Sequence, residues 1–152
     1  MEKYISNSES DTISFAKDFA KSLNKNDIVV LAGDLGSGKT KFTQGILEYF
    51  GLDDEISSPT FTIVNEYKND SISIFHFDVY RLNNENDFYD IGGEEYFGKG
   101  LCIIEWGEII KACLPPTTIV VNIEKNKLVE NERIITITKG IKNENSCDRN
   151  FK

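Results

Sequence analysis

The sequence is poor in positive charge and in long apolar runs, and each shortage excludes something. Lys plus Arg number 17 against 25 Asp plus Glu, a formal net charge of −8, so the basic footprint needed for unaided capture of a nucleic-acid backbone is missing. No apolar run approaches the roughly 18 to 20 residues that span a bilayer. Met1-Glu2-Lys3-Tyr4-Ile5-Ser6 has neither the basic start nor the apolar stretch of a signal peptide, which predicts a cytoplasmic protein. Three cysteines, Cys102, Cys113 and Cys147, form no CxxC pair and leave an odd count, so reduced thiols are expected. What remains is ample for folding: 152 residues with 39% hydrophobic and 11% aromatic side chains support one packed domain.

Periodicity sketches a mixed α/β chain. Ser8 and Asp11 have capping-box spacing ahead of Ile13, Ala16, Phe19, Ala20 and Leu23, which predicts an amphipathic helix over 10–23. Ile28-Val29-Val30-Leu31-Ala32 is apolar on both faces, as a doubly covered strand would be. Phe42, Ile46, Leu47 and Phe50 mark a second helix, with Gly51 as its stop. Residues 61–67 and 71–80 read as an antiparallel hairpin, and 117–124 and 133–139 as another. Leu101-Cys102-Ile103-Ile104 is a further buried strand, and short helices are expected within 83–100 and 108–114. One domain over 1–140 with a polar tail at 141–152 is the expectation.

Between the first buried strand and the second helix lies Gly33-Asp34-Leu35-Gly36-Ser37-Gly38-Lys39-Thr40, a full match to G-x-x-x-x-G-K-[ST]. Phosphate oxygens need several amide N–H donors converging on one point, and glycines let the backbone wrap that closely. The following helix adds its unsatisfied N-terminal amides and the positive end of its dipole. Lys39 would reach the β- and γ-phosphates, and the Thr40 hydroxyl would ligate Mg²⁺. Chance gives such a match in under roughly 1% of chains this long.

A P-loop needs an acidic partner for the metal at a neighbouring strand end. Asp78 and Glu105 both end apolar strands, and spacing does not say which is the ligand and which orients water. Asn24-Lys25-Asn26-Asp27 and Asp90-Ile91-Gly92-Gly93 imitate the NKxD and DxxG signatures of guanine-nucleotide proteins. The first precedes the P-loop and the second follows no strand, so turn chemistry accounts for both. His76, the single histidine, reads as a structural residue of a strand, and Trp106 as either core or site wall.

The glycine loop together with Ser58-Pro59-Thr60-Phe61-Thr62, His76-Phe77-Asp78-Val79-Tyr80-Arg81-Leu82 and Ile104-Glu105-Trp106 resembles, in order and spacing, the bacterial TsaE family. The resemblance runs from about Ser8 to about Lys139. It implies a single P-loop NTPase-type α/β domain, with a central, mostly parallel sheet, antiparallel hairpin additions and helices on both faces. It also implies ATP and Mg²⁺ as cofactors. The implied activity is that of an ATPase required for threonylcarbamoyladenosine (t6A) modification of adenosine 37 in ANN-decoding tRNAs, with the TsaB and TsaD proteins as partners. Carried over by position, Asp34, Leu35, Gly36, Ser37, Gly38 and Lys39 hold phosphates, while Thr40 and Glu105 ligate Mg²⁺. Asp78 takes the Walker-B-like place, and Thr60 that of a switch residue sensing the γ-phosphate. Thr12 and Arg133 lie where the family's N-terminal segment and last hairpin approach the nucleotide. Trp106, at a strand end beside the metal-ligand candidate Glu105, reads as a cofactor-binding wall of the site. Ser37, Lys41 and Gly107 depart from the more usual Ala, Thr and Pro.

Two other readings compete on sequence grounds, a small-molecule P-loop kinase and an assembly module that binds ATP without hydrolysing it. A kinase lid usually carries Arg, and 83–100 has no Arg, and no Lys before Lys99.

Overall fold

Strands whose two faces are both apolar must be covered on both sides, and that requirement organises the molecule. The computed structural model describes residues 2–34, 36–52 and 63–140. In chain order these form β1 (Glu2–Ser6), α1 (Glu9–Ala20), β2 (Ile28–Ala32), α2 (Lys39–Tyr49), β3 (Val64–Lys68), β4 (Ser73–Asp78), α3 (Glu85–Asp90), β5 (Leu101–Glu105), β6 (Ile119–Lys125) and β7 (Arg133–Lys139). Two 3₁₀ stretches, Gly93–Tyr96 and Gly107–Cys113, flank β5 in sequence.

The described residues make one sheet in the order β1-β7-β6-β2-β5-β4-β3. Its centre, β6-β2-β5-β4, is parallel throughout, and β3, β7 and β1 join antiparallel. Val29 and Leu31 of β2 face a core shared with Ala16 and Phe19 of α1 and Phe42 and Ile46 of α2. Ile28 and Val30 face the opposite core, with Phe77, Phe88 and Ile110. Each of these large side chains contributes about 1.5–3 kcal/mol by leaving water, so the two layers hold the sheet from both sides. Helices α1 and α2 meet closely because Gly45 has no Cβ; one would lie 2.4 Å from the Ile13 carbonyl oxygen and 2.5 Å from Ala16 Cβ.

Two local expectations need correction. Strand β1 was not anticipated, since Glu2–Ser6 is an edge strand with mostly exposed side chains and no apolar alternation to announce it. The capping box at α1 is altered: Ser8 Oγ accepts from the Asp11 amide (3.0 Å), but Asp11 reaches back to the Asn7 amide (3.0 Å) and to the Tyr4 hydroxyl (2.6 Å). The short helix expected over 108–114 is present as the 3₁₀ stretch Gly107–Cys113, entered from Trp106 in a left-handed conformation (φ 65°). The 61–67 strand begins at Val64, and its first part lies outside the described residues, as does the tail at 141–152. Among the described residues no helix is long and apolar enough to cross a membrane.

Candidate functional site

The loop that leaves β2 at its carboxyl end turns on glycines placed where side chains cannot go. Gly33 (φ 145°), Gly36 (φ 78°) and Gly38 (φ 114°) all adopt positive φ. A Cβ on Gly33 would stand 2.3 Å from the backbone oxygen of Ile123, so β6 closes on the loop here and only glycine fits. Asp34 is exposed at the turn, and its carbonyl accepts from the Ser37 amide (3.1 Å). Leu35 lies outside the described residues. Gly38 is the N-cap of α2 and, having no side chain, gives the first turn of that helix no side-chain cap.

Lys39 is buried, and its Nζ donates to the Gly33 carbonyl (2.9 Å) while standing 4.5 Å from the centroid of the Trp106 ring. Trp106 in turn rests against Tyr80, with ring centroids 4.9 Å apart. Thr40 is exposed on the first turn of α2. Ser37 is buried with no hydrogen-bond partner for its Oγ among the described residues, while its carbonyl accepts from Arg133 Nε (3.0 Å). A cradle of glycines, a helix N-terminus without a side-chain cap and a buried hydroxyl unpartnered among the described residues suits phosphate oxygens.

Strand register assembles the acidic side. Asp78 of β4 pairs with Glu105 of β5, and Glu105 pairs with Leu31 of β2, two residues before Gly33. The two carboxylates therefore lie side by side at the carboxyl ends of parallel strands, where open α/β sheets bind ligands. Asp78 is half-buried and oriented by the Tyr80 amide, which donates to its Oδ1 (3.0 Å). Glu105 is buried, and its Oε2 meets His76 Nε2 at 2.7 Å. This donor set of hydroxyl and carboxylate oxygens suits Mg²⁺, which takes one or two protein carboxylates and fills its shell with water and phosphate. Accordingly, the described residues need not and do not gather three His, Cys, Asp or Glu side chains at one point.

A cleft of about 400 Å³ adjoins the loop, lined by Ser8, Thr12, Gly36, Gly38, Lys41, Asn131 and Arg133 among others. That volume falls in the usual range of small-ligand sites. Pairing of Ser6 with Arg133 across β1 and β7 brings the start of α1 to this place. Thr12 is buried, and its hydroxyl is 2.7 Å from Ser6 Oγ, which ties the helix to the edge strand.

The structure thus brings the loop, Thr12, Asp78, Glu105, Trp106 and Arg133 to one end of the sheet, while Thr60 and its Ser58-Pro59 neighbours lie outside the described residues. Sequence reasoning missed Lys125, whose Nζ would be 3.1 Å from a Cβ on Gly36, and the link between His76 and Glu105. Lys39, Lys41, Lys125 and Arg133 lie around the loop, so a chain of net charge −8 brings four of its cations to this place. The imitation NKxD is a turn in which Asp27 Oδ2 accepts from the Asn24 amide (2.8 Å), ahead of β2 and so at the other end of the strand from the loop. In the imitation DxxG, Asp90 ends α3 and Gly92 (φ 73°) follows it as the turn.

A strand–glycine loop–helix unit opening at the carboxyl ends of parallel strands defines a P-loop NTPase-type α/β domain. The family model described as threonylcarbamoyl adenosine biosynthesis protein TsaE matches residues 6–135, and this chain belongs to the TsaE family. It is 45% identical over 134 residues to the tRNA threonylcarbamoyladenosine biosynthesis protein TsaE of Rickettsia typhi, covering 88% of this chain and 92% of that one. The Bacillus subtilis protein of the same name is 40% identical over 129 residues, with 84% and 79% covered. The crystal structure of Bacillus subtilis YdiB superposes with a TM-score of 0.72 at 33% identity, covering 91% of this chain and 85% of that one.

Proposed function

We propose that this protein is a cytoplasmic, Mg²⁺-dependent ATPase that serves t6A modification of adenosine 37 in ANN-decoding tRNAs, acting with TsaB and TsaD. The observation that carries the reading is the shared position of the glycine cradle, Lys39 and the Asp78–Glu105 pair at one sheet end, in a chain of the TsaE family. The loop amides and Lys39 would hold the phosphates, and the adjoining cleft, with Thr12 and Arg133 on its walls, would take the nucleoside. Thr40 and Glu105 would hold Mg²⁺, whose charge offsets that on the β- and γ-phosphoryl oxygens. Asp78, fixed by the Tyr80 amide, would orient the attacking water, and Thr60 would sense the γ-phosphate.

Hydrolysis by such a site is mainly positioning and electrostatics, so a missing cation is felt strongly. Arg81 is exposed, with no hydrogen bond or ion pair among the described residues, three positions beyond the Asp78 strand end. Turnover should therefore be weak alone and rise when a partner completes the site. The kinase reading loses support, because 83–100 is packed as α3 and a 3₁₀ stretch with Phe88 fully buried, rather than raised as a lid. Phosphate release from ATP measured with the protein alone, with TsaB and TsaD, and with EDTA tests the reading. We expect Mg²⁺-dependent release that the partners increase. Faster hydrolysis alone than in the mixture, or transfer of the γ-phosphate to a metabolite, would overturn it.

A further inference from the structure

The single histidine lies on the site's acidic side, and its environment is costly. His76 is 3% exposed on β4, on the face it shares with Ile74, and its Nδ1 has no hydrogen-bond partner among the described residues. Leaving such an atom unpaired in the interior costs about 1–3 kcal/mol. An apolar side chain would fill the same place without that penalty, since Ile74 and Ile103 beside it are fully buried aliphatics. Among the described residues, the one bond that distinguishes His76 from an aliphatic is Nε2 to Glu105 Oε2 at 2.7 Å. A carboxylate only accepts, so Nε2 carries the proton and the ring is held in that orientation. Glu105 itself is buried at the end of an otherwise apolar strand.

We infer that His76 is the positioning residue for the metal carboxylate: by holding Oε2 it fixes the Glu105 rotamer in which that carboxylate would hold the cation. The inference rests on the reading of Glu105 as a Mg²⁺ ligand. It assigns no proton transfer to His76, only a fixed hydrogen bond, and carboxylates that ligate metals are commonly oriented in this way by a second layer of partners. Asp78 has a backbone amide in the equivalent place, so the two carboxylates are steadied by different means.

Binding, not turnover, tests this. ATP affinity is measured by calorimetry with Mg²⁺ and with EDTA, and Mn²⁺ binding to the nucleotide complex by electron paramagnetic resonance, for wild type, His76→Leu, His76→Asn and His76→Gln. A Gln amide reaches the Nε2 position, whereas Asn stops short of it. The expected result is that Leu and Asn lose roughly 10-fold or more in the Mg²⁺-dependent gain and in Mn²⁺ affinity. Affinity in EDTA should stay at the wild-type value, and Gln should restore most of the loss. Equal loss with and without metal would mark a purely structural role and overturn the inference, as would Leu retaining the full metal gain. Wild type showing no metal gain at all would instead sink the metal reading of Glu105, and this inference with it. Thermal melts of all four proteins separate misfolding from either outcome.

Discussion

Lys39 Nζ donates to the carbonyl of Gly33, six residues earlier and at the other end of the same loop, at 2.9 Å. The lysine thus closes its own loop, and its charge is shared with the face of Trp106 at 4.5 Å. A phosphate that draws Lys39 toward itself must break or share both contacts, so the sole tryptophan is coupled to loop occupancy.

Trp106 emission should therefore change when ATP or ADP is added, and Lys39→Ala should abolish that change. The same substitution removes a charge-assisted contact to phosphate, and ATP affinity should fall roughly 10- to 100-fold. Fluorescence titration alongside calorimetry checks both. An unaltered emission response in Lys39→Ala would contradict the coupling.

Gly45→Ala opposes two magnitudes. Alanine gains about 1 kcal/mol of helix propensity over glycine. Its Cβ would meet the backbone of α1 at 2.4 Å, an overpacking that costs about 1–3 kcal/mol, because a backbone cannot rotate away. Net destabilisation is expected, with Tm lowered by several degrees in a thermal melt. A raised Tm would show that α1 can yield at little cost.

Removing the cap, Ser8→Ala, should lower stability by about 1 kcal/mol, since Ser8 Oγ is the side-chain acceptor for the Asp11 amide. The effect should be local. Hydrogen exchange should speed up at the start of α1, while the amides of β2 and β5 keep their protection. Because this turn lines the cleft, ATP affinity should weaken in the same variant.

Burial pushes the Cys102 thiol up to about 12 from an ordinary value of 9.0. The folded protein therefore keeps a proton that the unfolded chain releases above about pH 9. Stability is unaffected below that pH and falls as pH rises from about 9 toward 12. Peptide-resolved alkylation at pH 8 should find Cys102 unmodified in the native protein. Cys113 is only partly buried, although burial raises its thiol as well, and should react first of the two. Early labelling of Cys102 would mean that β5 opens locally.

Much of the architecture was legible in single segments. The doubly apolar runs Ile28–Ala32 and Leu101–Ile104 read as strands covered on both faces, and they lie adjacent and parallel at the centre of the sheet. The eight residues from Gly33 to Thr40 announced the glycine loop between β2 and α2, because glycine placement and one lysine suffice to define it. The apolar stripe of Phe42, Ile46 and Leu47 located α2, and Gly51 (φ 77°) ended it. Strand β1 was silent, since an edge strand takes its stability from pairing with β7 rather than from a pattern of its own.

What the amino-acid order determined by itself was therefore local: which segments must be buried, where the loop is, and which carboxylates end strands. Their relation to one another depended on register across the sheet. Spacing left Asp78 and Glu105 interchangeable, whereas the folded chain buries one against His76 and leaves the other half-exposed beside the Tyr80 amide. Residues 76 and 105 meet only because β4 lies parallel to β5 with Asp78 opposite Glu105. The cleft beside the loop likewise exists because Ser6 pairs with Arg133, which carries the start of α1 to the mouth of the P-loop. Contacts of that range are set by packing of the whole sheet, and no periodicity within a segment encodes them.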